Sequence, residues 1–395
     1  MRLFHQPVWL GAVGRPGATS LATLYATSTF YRALLITVLP LLAHRLLGDA
    51  QKVSVFYFVV SCATVVVSLS IPMLVRRFTR RWVLTFGGLA APAGMALLAS
   101  GEVWGLVLGM PVYVFGNTCV ELCINLYVLE HVQRKELARF EPKRIFFAAG
   151  AWVVGPGLGV WLAEEGLDLV FALSAAGAFV MLAYFWFLRL ADHPAVPPMR
   201  QPPPNPLRYF ARFARQPRLR LAWLLAWGRA CWWAVFFVYG PILMVSTGLD
   251  AATAGAVISV GMCTLFLARL WGMAGRRFGI RRMLVAAYVG TGLVTIAVSF
   301  AAGLPWLVAA LLIASAFAAG AIDGAGNVPF LRAVHAYERP EMTTVYLTYR
   351  EAAQFTPPGL FAVLLQLIAL PAVFAVTGAA MFALAWYSRY LPRRL

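Results

Sequence analysis

The sequence predicts an all-α membrane protein, with twelve transmembrane helices in two pseudo-symmetric six-helix bundles. Three observations predict it. Apolar runs of spanning length recur along the whole chain, basic residues crowd alternate loops, and the second half repeats landmarks of the first at a nearly fixed offset.

Hydrophobic residues make up 61% of the 395 and charged residues 12%, where soluble domains carry roughly a quarter charged. So few charges cannot cover a water-exposed surface, and most of the apolar surface must face lipid. A formal net charge of +18 would otherwise point to nucleic acid. The arginines sit instead in short clusters between the apolar runs, so no nucleic-acid partner is expected. Arginine also greatly outnumbers lysine, a bias of GC-rich bacterial genomes, and the expected location is a bacterial inner membrane. All five cysteines (Cys62, Cys119, Cys123, Cys231, Cys263) lie inside apolar segments, where no disulfide framework belongs. The N-terminus lacks a short apolar core followed by a small-residue cleavage site, so the first apolar run is expected to be a retained helix.

A span needs about 20 apolar residues. Spans are expected near 21–45, 53–75, 82–100, 103–130, 145–163 and 168–189, and again near 220–247, 252–274, 283–302, 305–331, 342–368 and 371–390. Arg76, Arg77, Arg80 and Arg81 follow span 2, and Arg134, Lys135, Arg139, Lys143 and Arg144 follow span 4. Further clusters follow spans 6, 8, 10 and 12, among them Arg276, Arg277, Arg281 and Arg282. The intervening loops hold Glu102, Glu164, Glu165, Asp168 and Asp250. The positive-inside rule therefore expects both termini and the central loop on the cytoplasmic side. The bundles are expected at 1–190 and 220–395, joined by a linker at 191–219. That linker opens proline-rich and continues as Arg208-Tyr209-Phe210-Ala211-Arg212-Phe213-Ala214-Arg215, the spacing of an interfacial helix on an anionic leaflet.

The halves match in order. Arg76-Arg77-Phe78 recurs as Arg276-Arg277-Phe278, Leu21-Ala22 as Leu221-Ala222, and Pro156-Gly157-Leu158 as Pro358-Gly359-Leu360. At the last of these offsets, 202, Glu121 falls on Asp323 and Asn125 on Asn327. Duplicated halves in a membrane chain mark alternating-access transporters.

The loop after span 8, Gly272-Met273-Ala274-Gly275-Arg276-Arg277-Phe278-Gly279-Ile280-Arg281-Arg282, resembles the glycine- and arginine-rich cytoplasmic loop of the major facilitator superfamily. The copy after span 2 keeps the basic residues but lacks the glycines and the usual acid. Gly155-Pro156-x-x-Gly159 in span 5, with Gly150 upstream, resembles the glycine–proline motif of the superfamily's exporters. The resemblance covers the whole chain and implies a transporter that needs no cofactor. Glycines let span ends approach closely, and Gly155 and Pro156 permit a bend where the halves meet. Ordinary small-residue packing explains the span 5 glycines equally well. Gating roles are expected for Gly155, Pro156, Gly159, Gly272, Gly275, Arg276, Gly279 and Arg281.

Ionisable residues at mid-membrane depth are functional candidates. At a helical rise of about 1.5 Å per residue, Arg32, Glu121, Arg229, Asp323 and Arg350 lie roughly 12–17 Å from the cytoplasmic ends of their spans. The resemblance implies that spans 1, 4, 7 and 10, which carry the first four, line a central cavity. Glu121 and Asn125 are four apart, as are Asp323 and Asn327, so each pair is expected on one helix face, with Asn117 one turn further on the first. This stripe resembles the acid-x-x-x-Asn pattern of porters related to the fucose–proton symporters. Glu121 and Asp323 are candidate proton carriers, and the asparagines, Arg32, Arg229, Trp227 and Trp232 are candidate solute contacts. Alternatively, Arg32, Arg229 or Arg350 neutralises the acids as static ties between helices. Arg350 and Glu351 point about 100° apart and are expected to gate or pack. Cys119 and Cys123 bracket Glu121, but no histidine-rich loop supports metal transport, and buried cysteines usually act as small apolar fillers.

The expected activity is secondary active transport of a small organic solute, possible anions included, coupled to protons by a monomer. No Walker motif is present to use nucleotide. The span 5 motif favours export, and the acid–asparagine stripes keep uptake open. A lipid flippase and a transport-dead sensor on the same fold are the other readings. An enzyme is not expected, since no nucleophile–base constellation appears outside the spans.

Overall fold

The computed structural model describes residues 18–131, 134–188, 206–335 and 338–392. Much of the linker, including its prolines 197–204, and the terminal Arg393 and Arg394 lie outside these residues. The described chain is helical, and no strand occurs among the described residues.

The first half comprises α1 (Ala18–Leu47), α2 (Ala50–Val75), α3 (Arg77–Leu98), α4 (Val103–His131), α5 (Arg134–Glu165) and α6 (Leu167–Phe187). A ten-residue linker helix, α7 (Pro206–Arg215), precedes α8 (Pro217–Ser246). Then follow α9 (Ala251–Met262), a 3-10 turn (Cys263–Leu267), α10 (Ala268–Phe278), α11 (Ile280–Phe300), α12 (Pro305–Ala325), a short α13 (Val328–Ala333), α14 (Arg339–Leu364) and α15 (Ala372–Ser388). Each of the twelve expected spans falls on one of these helices or on a broken pair. Among the described residues nine helices are long and apolar enough to cross a bilayer, and ten if the bent α9–α10 pair counts as one span. The α14 helix falls outside that set, carrying Arg339, Glu341, Arg350 and Glu351, and α15 is shorter, at 17 residues. One buried cluster runs from Leu21 to Leu188 and takes in Ile242, and a second runs from Leu225 to Leu391.

The breaks have local causes. The continuous helical run Ala50–Leu98 kinks at Thr79, whose φ of 62 and ψ of 158 fall in a region favoured almost solely by glycine. Gly279 takes the same conformation at the equivalent turn, with φ 85 and ψ 138. The first half thus keeps the turn of the second but makes it with a β-branched residue, at a strain cost of about 1–3 kcal/mol. The α9–α10 pair bends by 52° over its 3-10 turn, where it crosses α12 closely. A Cβ on Gly320 would lie 1.8 Å from Thr264 Oγ1, and one on Gly324 would lie 2.2 Å from the Trp271 Cβ. The α12 helix stops at Ala325 because Gly326 turns the chain with φ 51, and Pro329 brings no amide hydrogen to continue it. Asn327 therefore does not share a continuous helix face with Asp323, contrary to the spacing argument.

The linker helix packs on the second half. Phe213 is buried among Phe330, Val334 and Met342. Arg212 pairs with the buried Glu338, whose other oxygen accepts from Gln216 Nε2 at 3.1 Å.

The halves meet at the end away from the termini. Gln51 Nε2 donates to the Ala362 carbonyl (3.1 Å), Ser54 Oγ lies 2.8 Å from the Tyr239 hydroxyl, and Ser61 Oγ donates to the Gln354 carbonyl (3.2 Å). The Ala252 amide donates to Glu164 Oε1 and the Gly157 amide to Ser259 Oγ, each at 2.8 Å. A buried bond such as Ser54–Tyr239 contributes about 1 kcal/mol. These five hydrogen bonds lie between this end and the middle of the helices.

Candidate functional site

Each half places an arginine of its first helix against a carboxylate of its fourth. In the first, Arg32 Nη1 on α1 lies 2.9 Å from Glu121 Oε2 on α4. In the second, Arg229 Nε on α8 lies 3.2 Å from Asp323 Oδ1 on α12. Arg32, Glu121 and Arg229 sit mid-helix and Asp323 lies in the last turn of α12, and all four keep partial exposure, 27% and 32% for the first pair and 12% and 34% for the second. Mid-helix charges can remain accessible in this way only where they face a polar space inside the bundle.

The asparagines are held by the helix that follows. Arg144 Nη1 on α5 donates to Asn125 Oδ1 at 2.9 Å, and the Tyr346 hydroxyl on α14 donates to Asn327 Oδ1 at 3.1 Å. Arg144 and Tyr346 are themselves 202 residues apart, the same offset as the asparagines. Arg144 also covers the Tyr25 ring at 4.5 Å. Asn117 is buried, and its Oδ1 has no hydrogen-bond partner among the described residues.

The halves then differ. Trp233 Nε1 donates to Asp323 Oδ2 at 2.8 Å, so both oxygens of that carboxylate are engaged. Glu121 instead lies within electrostatic range of Arg350, on α14 of the other half, and of Arg144. Glu351 faces the like charge of Glu121, and its Oε2 is buried without a hydrogen-bond partner among the described residues. Arg229 Nη2 and Arg350 Nε both reach the Tyr349 hydroxyl at 3.4 Å.

The aromatic candidates divide. Trp232 is buried and donates to Thr295 Oγ1 on α11 at 3.0 Å, so it faces the core of its own half. Trp227 stacks on Trp223 at 6.1 Å, and its Nε1 reaches Thr356 on α14 at 3.4 Å. The span 5 glycines also divide. A Cβ on Gly155 would lie 2.6 Å from the Ala33 Cβ, and one on Gly159 1.8 Å from the Leu34 carbonyl oxygen, so both serve packing against α1. Gly157 and the Pro156 carbonyl face α9 of the other half instead, with a Cβ on Gly255 only 3.0 Å from that carbonyl. In the arginine-rich loop, Gly279 supplies a positive φ, Gly275 packs on Met283, and Arg276 is exposed.

The sequence shows Trp233 only as one of the crowded aromatics of span 7 and Arg144 only as a loop cation, and it does not single out Tyr346 or Tyr349. The shared offset of 202 was a signal for Arg144 and Tyr346. No sequence signal distinguishes Trp233 from its aromatic neighbours.

The sequence profile of the Major Facilitator Superfamily matches residues 21–270. This chain belongs to the Major Facilitator Superfamily. Its multi-pass helical architecture is that of a superfamily transporter, a fold that handles small molecules. Solved transporters share the fold across nearly the whole length. The nucleoside transporter NupG is 13% identical with a TM-score of 0.73, covering 95% of this chain and 98% of that one. A D-xylose-proton symporter is 13% identical with a TM-score of 0.71, covering 95% and 98%. A POT family transporter in complex with 5-aminolevulinic acid is 13% identical with a TM-score of 0.72, covering 98% and 96%. No curated protein sequence matches significantly.

Proposed function

We propose that this protein is a secondary active transporter that moves a small organic solute by rocking of its two halves, coupled to protons and running as an exporter. The bundles are 1–190 and 220–395 with the linker at 191–219, and the protein works as a monomer in a bacterial inner membrane, termini inside. The observation that carries the reading is the Arg–carboxylate pair repeated between α1 and α4 and between α8 and α12, beside an interface whose described hydrogen bonds lie toward one end. With basic loops inside, the closed end is the outer one, and the structure is the inward-facing state.

Glu121 and Asp323 carry the proton in this scheme. Protonating either removes the charge that its arginine balances, which frees a guanidinium for the solute. Trp233 and Arg229 together hold both oxygens of Asp323, and Glu121 has the Arg32 bond with the opposing half's Arg350 and Glu351 nearby. Asn117, whose buried Oδ1 has no hydrogen-bond partner among the described residues, is the asparagine best placed to meet a polar solute.

Uptake is favoured by one comparison: the D-xylose-proton symporter shares the fold. Reconstitution in proteoliposomes with a pH-sensitive dye inside decides both coupling and direction. Outward solute flux is expected to drive proton entry, and Asp323→Asn should stop it. Solute movement that persists unchanged after a protonophore collapses the gradient would exclude proton coupling.

A further inference from the structure

We infer that the solute carries an anionic group, a carboxylate or a phosphate, seated between Arg350 and Arg229 at the hydroxyl of Tyr349. The inference rests on the transporter reading above and names its substrate class.

Charge balance comes first. Arg32 and Arg229 each hold a carboxylate within 3.2 Å. Among the described residues, none lies within ion-pair distance of Arg350. Glu351 follows it on α14, but adjacent helical side chains diverge by about 100° and do not face one another. Glu121 acts on Arg350 only from a distance, across the interface between the halves.

Access comes second. Arg350 is exposed although it lies twelve residues into the 26-residue α14, on a helix that packs against both α8 and α2. A mid-membrane cation that stays exposed opens onto the polar space between the halves, and such residues mark solute paths.

Convergence comes third. Arg229 Nη2 and Arg350 Nε approach one oxygen, each at 3.4 Å, long for a bond donated by a guanidinium. The acceptor is an uncharged phenol, so these bonds are weak and easily displaced. Arg229 meets Asp323 through Nε and leaves Nη2 for this second contact. Two guanidiniums aimed at one point form a fork for a planar carboxylate or a phosphate. An anion there would replace two long bonds to a phenol with charge-assisted ones and supply the counter-charge that no described residue brings within ion-pair distance of Arg350.

A carboxylate or phosphate can belong to a soluble solute or to a lipid headgroup, and the test separates them. Purified wild-type protein in nonionic detergent is treated with phenylglyoxal, and modification at each arginine is quantified by peptide mass spectrometry. The probes are benzoate and inorganic phosphate, with ionic strength matched by potassium chloride, and separately nanodiscs of phosphatidylglycerol. A soluble probe is expected to slow modification of Arg350 saturably by roughly threefold, the factor for a probe at twice its dissociation constant. The exposed Arg277 should be unaffected. Protection by phosphatidylglycerol alone would assign the seat to lipid and overturn the solute inference. Equal protection of Arg350 and Arg277, no protection, or an Arg350 that never reacts would also overturn it. A transported solute without Arg350 protection removes the seat and leaves the transporter, and protection without transport does the reverse.

Discussion

Arg229→Ala is expected to lower the unfolding midpoint of the purified protein by several degrees and to abolish transport. Removing one partner of a fully buried ion pair costs about 3–5 kcal/mol, because the other charge is left without compensation. Asp323 keeps 34% exposure and its bond from Trp233, so a smaller loss, about 2–3 kcal/mol, is expected here. Asp323→Asn should cost less, since the Arg229 left behind still has the Tyr349 hydroxyl. The double variant should recover part of the stability lost in Arg229→Ala, giving a coupling energy of about 1–3 kcal/mol in a double-mutant cycle. Transport should stay absent in the double variant. A double variant that recovers transport along with stability would make the pair a static tie between helices.

Gly159→Ala is expected to prevent folding of the first half, or to leave a protein that aggregates on gel filtration in detergent. The new Cβ would lie 1.8 Å from the Leu34 carbonyl oxygen and 2.7 Å from its carbonyl carbon. These are backbone atoms of α1, so the clash is relieved only by separating α1 from α5. Separation would also disturb Arg32, two residues before Leu34, and with it the pair to Glu121. Gly150→Ala is the matched control on the same helix, since a Cβ there meets nothing within 4 Å. It should be neutral or stabilising by roughly 0.5–1 kcal/mol through helix propensity alone. Equal yield and thermal midpoint for the two variants would contradict the close α1–α5 crossing.

Much of this architecture was legible in the sequence, because lipid imposes strong constraints. Apolar runs set span positions to within a few residues, and the ordered matches between halves exposed the duplication. The charged candidates were found because a charge in the middle of an apolar run is conspicuous. Their partners were harder to read. Spacing alone could not choose among Arg32, Arg229 and Arg350 for the two acids, since each arginine is on a different helix and pairing depends on helix rotation. Glu121 and Asn125 share a face of the unbroken α4 as their spacing predicts, whereas Gly326 ends the helix between Asp323 and Asn327. The glycines of span 5 were visible as a motif. Which neighbour each one touches was not: two face α1, and Gly157 faces the other half. A turn normally made by glycine was hidden at Thr79, where the residue type gives no hint of a positive φ.

In the proposed mechanism the halves rock about the level of the two ion pairs, and double electron–electron resonance measures that motion directly. One spin-label pair joins Ser100 to Leu304 at the closed end, and another joins Thr79 to Arg282 at the opposite end, in a background without native cysteines and in proteoliposomes. Between acidic and alkaline pH the two distance distributions are expected to shift in opposite senses, the first lengthening as the second shortens. Distances that stay fixed at both ends, or that move in the same sense, would contradict alternating access in this protein.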